Sequence, residues 1–166
     1  MKHISPYLLA CTLALGTVEA GAAPAGLVLR PDLSLESARR LLDATMEACH
    51  AKGKTLAVAV VDRSGNLVAL QRDDNVGPHN TVAAQRKAYT ALSTKTATRQ
   101  LADNARANPE TQNLATVGEL LLLGGGVPIS VGPDVIGALG VAGAGGPATD
   151  EVCALAAIER VFPRMP

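Results

Sequence analysis

The residue with the most chemistry in its position is His79. It follows Gly77-Pro78 at the mouth of an expected helix. The positive end of a helix dipole disfavours a charged imidazolium there, and a neutral imidazole is a competent metal ligand. On a helix, His79, Ala83, Arg86 and Thr90 share a face. The seven residues from His79 to Arg86 span roughly 10 Å at the helical rise. That spacing suits a ligand carrying a metal and a carboxylate several ångström apart, because the guanidinium fork of Arg matches a carboxylate. The competing reading is a solvated loop histidine and a surface arginine. Lys87 and Tyr89 flank the same stretch. Lys87 reads as a ligand contact or a snorkelled surface lysine, and Tyr89 as core filling, an anionic ligand or a stacking platform.

Other groups carry less. His50 lies near a helix C-terminus, where a surface cap is the simpler role. Asp62 ends an apolar run and supports its turn, and Asp150 and Glu151 suit a helix N-terminus. Ser64 and Ser130 have no His/Asp constellation around them, so hydrolase chemistry has no support. Gly124-Gly125-Gly126 precedes no helix and no Lys-Ser/Thr pair, so it is not a phosphate-binding loop. Gly125, Gly126, Gly137 and Gly140 mark places where something approaches the backbone closely, either a ligand or packed protein. Ten of the 16 glycines lie between Gly118 and Gly146.

These residues need elements to hold them. Ser34 caps a first helix with an apolar stripe from Leu35 to Cys49, and Gly53 ends it. Leu56 to Val61 is a continuous apolar run, Arg63-Ser64-Gly65-Asn66 a turn, and Leu67 to Leu70 a second run. This is a hairpin whose first strand is buried on both faces. Helices are expected from about Asn80 to Leu92 and Thr96 to Ala105. Strands follow at Leu120–Leu123, Val127–Val131 and Val135–Val141, then a last helix capped by Thr149 and ending near Arg160. The order α-ββ-αα-βββ-α predicts an α+β domain with a five-stranded antiparallel sheet covered by helices.

Composition narrows the partners. The chain has 166 residues, 48% of them hydrophobic and 2% aromatic, with 15 acidic and 15 basic side chains. Neutral balance and scarce aromatics argue against nucleic acid. Residues 1–22 read as a signal peptide, with Lys2 before a short apolar core (Leu8 to Leu15) and small residues after it. That core is too short to span a bilayer. Residues 23–166 then form one domain, periplasmic or secreted. Cys49 and Cys153 fall in expected helices. Two buried free thiols are the favoured reading, and an export-compatible disulfide is the alternative.

Taken in order, Val58 to Asp62, Gly65 to Val68, Arg72-Asp73-Asp74, Ala84 to Ala91, Gly125 to Ile129, Ile136 to Gly143 and Asp150-Glu151 resemble the GlcG/HbpS-like family. That family is also labelled haem-binding or haem-degrading and is related to the C-terminal domain of PduO-type proteins. The resemblance spans about residues 32–161 and implies a five-stranded antiparallel sheet, homo-oligomers built on dimers, and haem as cofactor. Lys87 matches the family's Lys-Ala pair, and Gly125, Gly126 and Pro128 its Gly-Gly-x-Pro turn. The expectation is an exported protein that sequesters or relays haem, with a link to haem breakdown. His79 would be axial ligand, Arg86 or Lys87 propionate partner, and the Gly137–Gly143 backbone a close wall. Two alternatives are an enzyme or binding protein for a small organic acid or corrinoid-type cofactor, using Asp73, His79 and Lys87, and an oligomeric structural or sensory module.

Overall fold

The structure is a computed structural model that describes residues 26–163. The expected signal peptide lies outside the described residues. The chain divides into two units, residues 1–30 and 31–166. Of the first, residues 26–30 contain no helix or strand. All regular elements among the described residues belong to the second.

The first helix, α1 (Leu35–His50), starts where Ser34 accepts a hydrogen bond from the Ser37 N–H at 3.1 Å. It ends before Gly53, which takes φ 65°. Strands β1 (Ala57–Asp62) and β2 (Leu67–Arg72) form the expected hairpin. Asp62 organises its turn by accepting from the backbones of Ser64 and Asn66 and from the Asn66 amide. Helices α2 (His79–Thr94) and α3 (Thr98–Ala107) follow. A 3₁₀ turn at Gln112–Thr116 precedes β3 (Gly126–Val131) and β4 (Asp134–Ala142), and α4 (Pro147–Val161) closes the chain.

The sheet has four strands rather than five, in the order β2-β1-β4-β3, all neighbours antiparallel. The missing strand is Leu120–Leu123. Its backbone is taken by local turns (Leu120 N–H to Val117 O, Leu123 N–H to Leu121 O) and by side chains on the two preceding helices. Thr90 Oγ1 accepts from Leu121 N–H, and Thr98 Oγ1 donates to Leu123 O. An apolar run with no strand beside it lies along the helices instead.

Helices α1 and α4 cover one face of the sheet, over a core of large aliphatics that includes Leu41, Val58, Val60, Ile129, Leu139 and Val141. Helix α2 covers the other face, where the contacts are mostly alanine: Ala57, Ala59 and Ala142 meet Ala84, and Ala138 meets Ala88 and Ala91. Strand β1, between the two layers, has both faces buried as its apolar run predicts. The two edges of the sheet are β2 and β3, and β3 carries Pro128 in its middle.

Helix α4 begins earlier than Thr149. Gly146, at φ 133°, is its cap and Pro147 its first residue, a position where the missing proline N–H costs nothing. Asp150 and Glu151 are thereby carried inside the first turns and face other elements.

Cys49 and Cys153 form a disulfide joining α1 to α4, with Cα atoms 5.5 Å apart, in place of the two free thiols favoured from sequence. The two positions are 104 residues apart. Closing a loop of that size in the unfolded chain is worth roughly 4–5 kcal/mol in the chain-entropy model. Both residues are fully buried. We expect Cys49→Ala/Cys153→Ala to lose about 2–5 kcal/mol of unfolding free energy, read as a lower urea midpoint. Unchanged midpoints with and without the bridge would show that it carries no stability. Among the described residues no helix is long and apolar enough to cross a membrane.

Candidate functional site

Helix α2 carries four of the candidate side chains, and its packing decides what each can do. Its inward alanines let it approach the sheet until backbones touch. A Cβ on Gly140 would lie 2.0 Å from Ala84 O, and one on Gly126 2.2 Å from Lys87 O. A Cβ on Gly125 would lie 2.6 Å from Val141 O, and one on Gly137 2.5 Å from Val61 O. The close approach inferred at these glycines is therefore real, but protein occupies it. Gly125, Gly126, Gly137 and Gly140 receive helix and strand atoms and offer no wall to a ligand.

Lys87 is buried, 1% exposed. Its Nζ donates to Asp150 Oδ2 at 2.8 Å and to Val141 O at 2.9 Å. Asp150 Oδ1 accepts the Ala144 N–H at 2.9 Å. The ion pair thus ties α2 to β4, to the loop after it and to α4, and leaves Lys87 unable to meet a propionate at the surface. The sequence places Lys87 one residue from the exposed stripe and gives no sign of its partner, 63 positions away. Beside it, Arg99 grips Glu151 through two nitrogens. The hydrogen bond and the charge of Glu151 raise the Arg99 guanidinium above its ordinary value.

Arg86 turns outward and then folds over the loop after the 3₁₀ turn. Its Nη2 donates to Gly118 O and Leu120 O, both at 2.7 Å. Its Nε is buried without a hydrogen-bond partner. That side chain lines a shallow groove of about 230 Å³ with Gln85, Tyr89, Gly118 and Glu119. Tyr89 is 37% exposed, so it forms a wall and does not fill the core.

His79 is the first residue of α2 and is exposed. Its ring folds back over Gly77, where an added Cβ would stand 2.9 Å from Cε1. Asn80 secures the entry to the helix by donating from Nδ2 to Gly77 O at 3.2 Å. No hydrogen bond or ion pair occupies either ring nitrogen of His79 among the described contacts. His79, Arg86 and Tyr89 therefore share the outward side of α2, and Lys87 does not.

The organic-acid grouping is not assembled. Asp73 receives His50 Nε2 at 2.9 Å and the Leu56 N–H at 2.9 Å, and so clamps the end of α1 to the start of β1. Lys87 is inside. His50 remains exposed in the last turn of α1, as a surface cap would be, and its ring also serves this clamp. Among the described residues no three His, Cys, Asp or Glu side chains gather in a way that could hold a bare metal ion.

Comparison with known proteins agrees with this architecture. Residues 33–159 match the family model described as haem degrading protein HbpS-like. Protein GlcG of Escherichia coli K12 is 33% identical over 112 residues, covering 66% of this chain and 80% of that protein. The crystal structure of a double mutant of Streptomyces reticuli HbpS superposes with a TM-score of 0.78 at 32% identity, covering 90% of this chain and 99% of that one. A PduOC:heme complex superposes at 0.72 with 27% identity, covering 80% and 96%. With the family model spanning almost the whole of its folded unit, this chain belongs to the HbpS-like family.

Proposed function

We propose that this protein binds haem on the outward side of α2, and that it does so outside the cytoplasm. The observation that carries the reading is the buried, unpartnered Nε–H of Arg86, two helical turns along the same face of α2 from the accessible imidazole of His79. A buried donor without an acceptor costs about 1–3 kcal/mol, and a propionate oxygen would satisfy it. The naming of the family for haem degradation and the PduOC:heme neighbour support the choice of ligand.

The residues fit such a ligand in part. His79 would supply a nitrogen ligand to the iron, Arg86 Nε–H the carboxylate contact, and the Tyr89 ring one edge of the seat. Bound haem would supply iron-centred redox chemistry. The Nη2 bonds of Arg86 hold the guanidinium still, so it meets a carboxylate without reordering. One subunit gives only an open face, and sequestration from water needs a second wall. A second copy of the chain, in a dimer-based assembly, is the simplest source of it. The Cys49–Cys153 disulfide supports the exported reading of residues 1–22, because such bridges persist in oxidising compartments.

Hemin titration of the full chain tests this. We expect a saturable Soret band, and a loss of affinity of about tenfold or more in His79→Ala, equivalent to about 1.4 kcal/mol or more. Arg86→Gln should weaken binding while leaving the band position unchanged. A Soret response that never saturates would overturn the assignment.

A further inference from the structure

Tyr89 separates two grooves. The second, about 340 Å³, lies toward the β1–β2 turn and the end of α2, with Arg63, Gly65, Tyr89, Leu92, Lys95 and Val135 around it. Its parts are set apart by charge. Tyr89, Leu92 and Val135 give apolar walls, and Arg63 and Lys95 give two cations.

Both cations are placed with care. Arg63 Nη2 donates to Asp134 Oδ1 at 3.2 Å and Nη1 to Pro31 O at 3.3 Å. This fixes the guanidinium while using two of its five N–H donors. Lys95 terminates α2 in the left-handed conformation, φ 52° and ψ 29°. Glycine or asparagine normally takes that position, and a lysine there is strained. A cation serving only the helix dipole fits anywhere in the last turn without strain. The left-handed placement adds something else: the side chain turns toward the groove. Asp134 offsets the charge of Arg63, whereas no ion pair to Lys95 occurs among the described residues. Nearby Asp62 is already committed to its own turn. Gly65, at φ 87°, completes the seat, since a Cβ there would stand 3.0 Å from the Tyr89 ring.

We propose that this groove binds a carboxylate carried on an apolar body, as in a small aryl or branched-chain acid. Lys95 and Arg63 meet the carboxylate, and Tyr89, Leu92 and Val135 flank the body. The site shares the Tyr89 ring with the haem seat but lies on its other side, lined by Arg63, Lys95 and Val135 where the haem seat has Arg86, Gly118 and Glu119. A tetrapyrrole propionate has the same chemistry and is the other source of the group.

The full chain contains two tyrosines, Tyr7 and Tyr89, so 3-fluorotyrosine labelling gives two fluorine NMR signals. Tyr89→Phe assigns the relevant one. Benzoate should shift the Tyr89 signal saturably, with a Kd of about 1 mM or tighter. Benzyl alcohol, which lacks the charge, should bind at least tenfold more weakly. Lys95→Gln and Arg63→Gln should each weaken benzoate about fivefold or more, and Lys95→Arg should restore most of it. Lys95 is exposed, so its substitution tests binding with the fold intact.

Metal-free protoporphyrin IX separates the sources. A Tyr89 shift that benzoate competes away means the groove also accepts a ring propionate, and the absence of one makes the free acid its ligand. Equal binding of benzyl alcohol and benzoate, or no benzoate shift at all, would overturn the proposal. Neither result depends on the hemin titration.

Discussion

Gly140→Ala is expected to be among the most damaging single substitutions in this chain, removing about 3 kcal/mol or more of stability. The added carbon would lie 2.0 Å from Ala84 O and 2.6 Å from Ala88 N, and both are backbone atoms of α2. No rotamer change relieves contact with a helix backbone, so the helix itself must lift. Lifting it opens the alanine layer along its whole length, because Ala84, Ala88 and Ala91 have no side-chain length with which to follow. The proper control is Gly132→Ala. Gly132 sits in the β3–β4 turn at φ 57° with nothing within 4 Å of the new carbon. That change should cost only the left-handed backbone preference, about 1–2 kcal/mol. Urea unfolding of both variants gives the comparison, and a Gly140→Ala midpoint equal to the parent would refute the close-packing account.

The second large effect is expected at the Lys87–Asp150 pair. Lys87→Met leaves a carboxylate buried without its cation and should cost about 3–5 kcal/mol. Asp150→Asn should also destabilise, though its amide oxygen can still accept the Ala144 N–H. The double change Lys87→Met/Asp150→Leu removes both charges and should recover part of the loss. It should not recover all of it, because the Ala144 N–H then has no acceptor, a deficit of about 1–3 kcal/mol. If Lys87→Met alone unfolds within 1 kcal/mol of the parent, on the order of the weak coupling of exposed pairs, the pair is not the tie described here.

What the sequence reveals depends on how local each cause is. Ser34, Asp62 and the run Val58–Val61 announce a cap, a turn and a buried strand because the interactions that fix them lie within a few residues or follow from periodicity. Leu120–Leu123 misleads for the same reason. It has strand-like composition, but its partners are hydroxyls on α2 and α3, about thirty positions back, and periodicity carries no record of those. The glycines show that a close approach occurs and are silent on what approaches. Lys87 and Arg86 are adjacent in sequence, and a helical step of 100° sends one inside and leaves the other above a groove. Lys95 looks like an ordinary surface lysine until its backbone conformation is known.

The two edges of the sheet are unlike, and that difference bears on how copies of the protein behave at high concentration. Strand β3 has Pro128 in its middle, and a proline has no N–H to offer an incoming strand. Strand β2 is six residues without proline. Growth by strand addition is therefore one-sided. Two copies meeting edge to edge through β2 would each use up the only edge that accepts a neighbour, and the assembly would stop there. This asymmetry is a built-in brake on fibre formation.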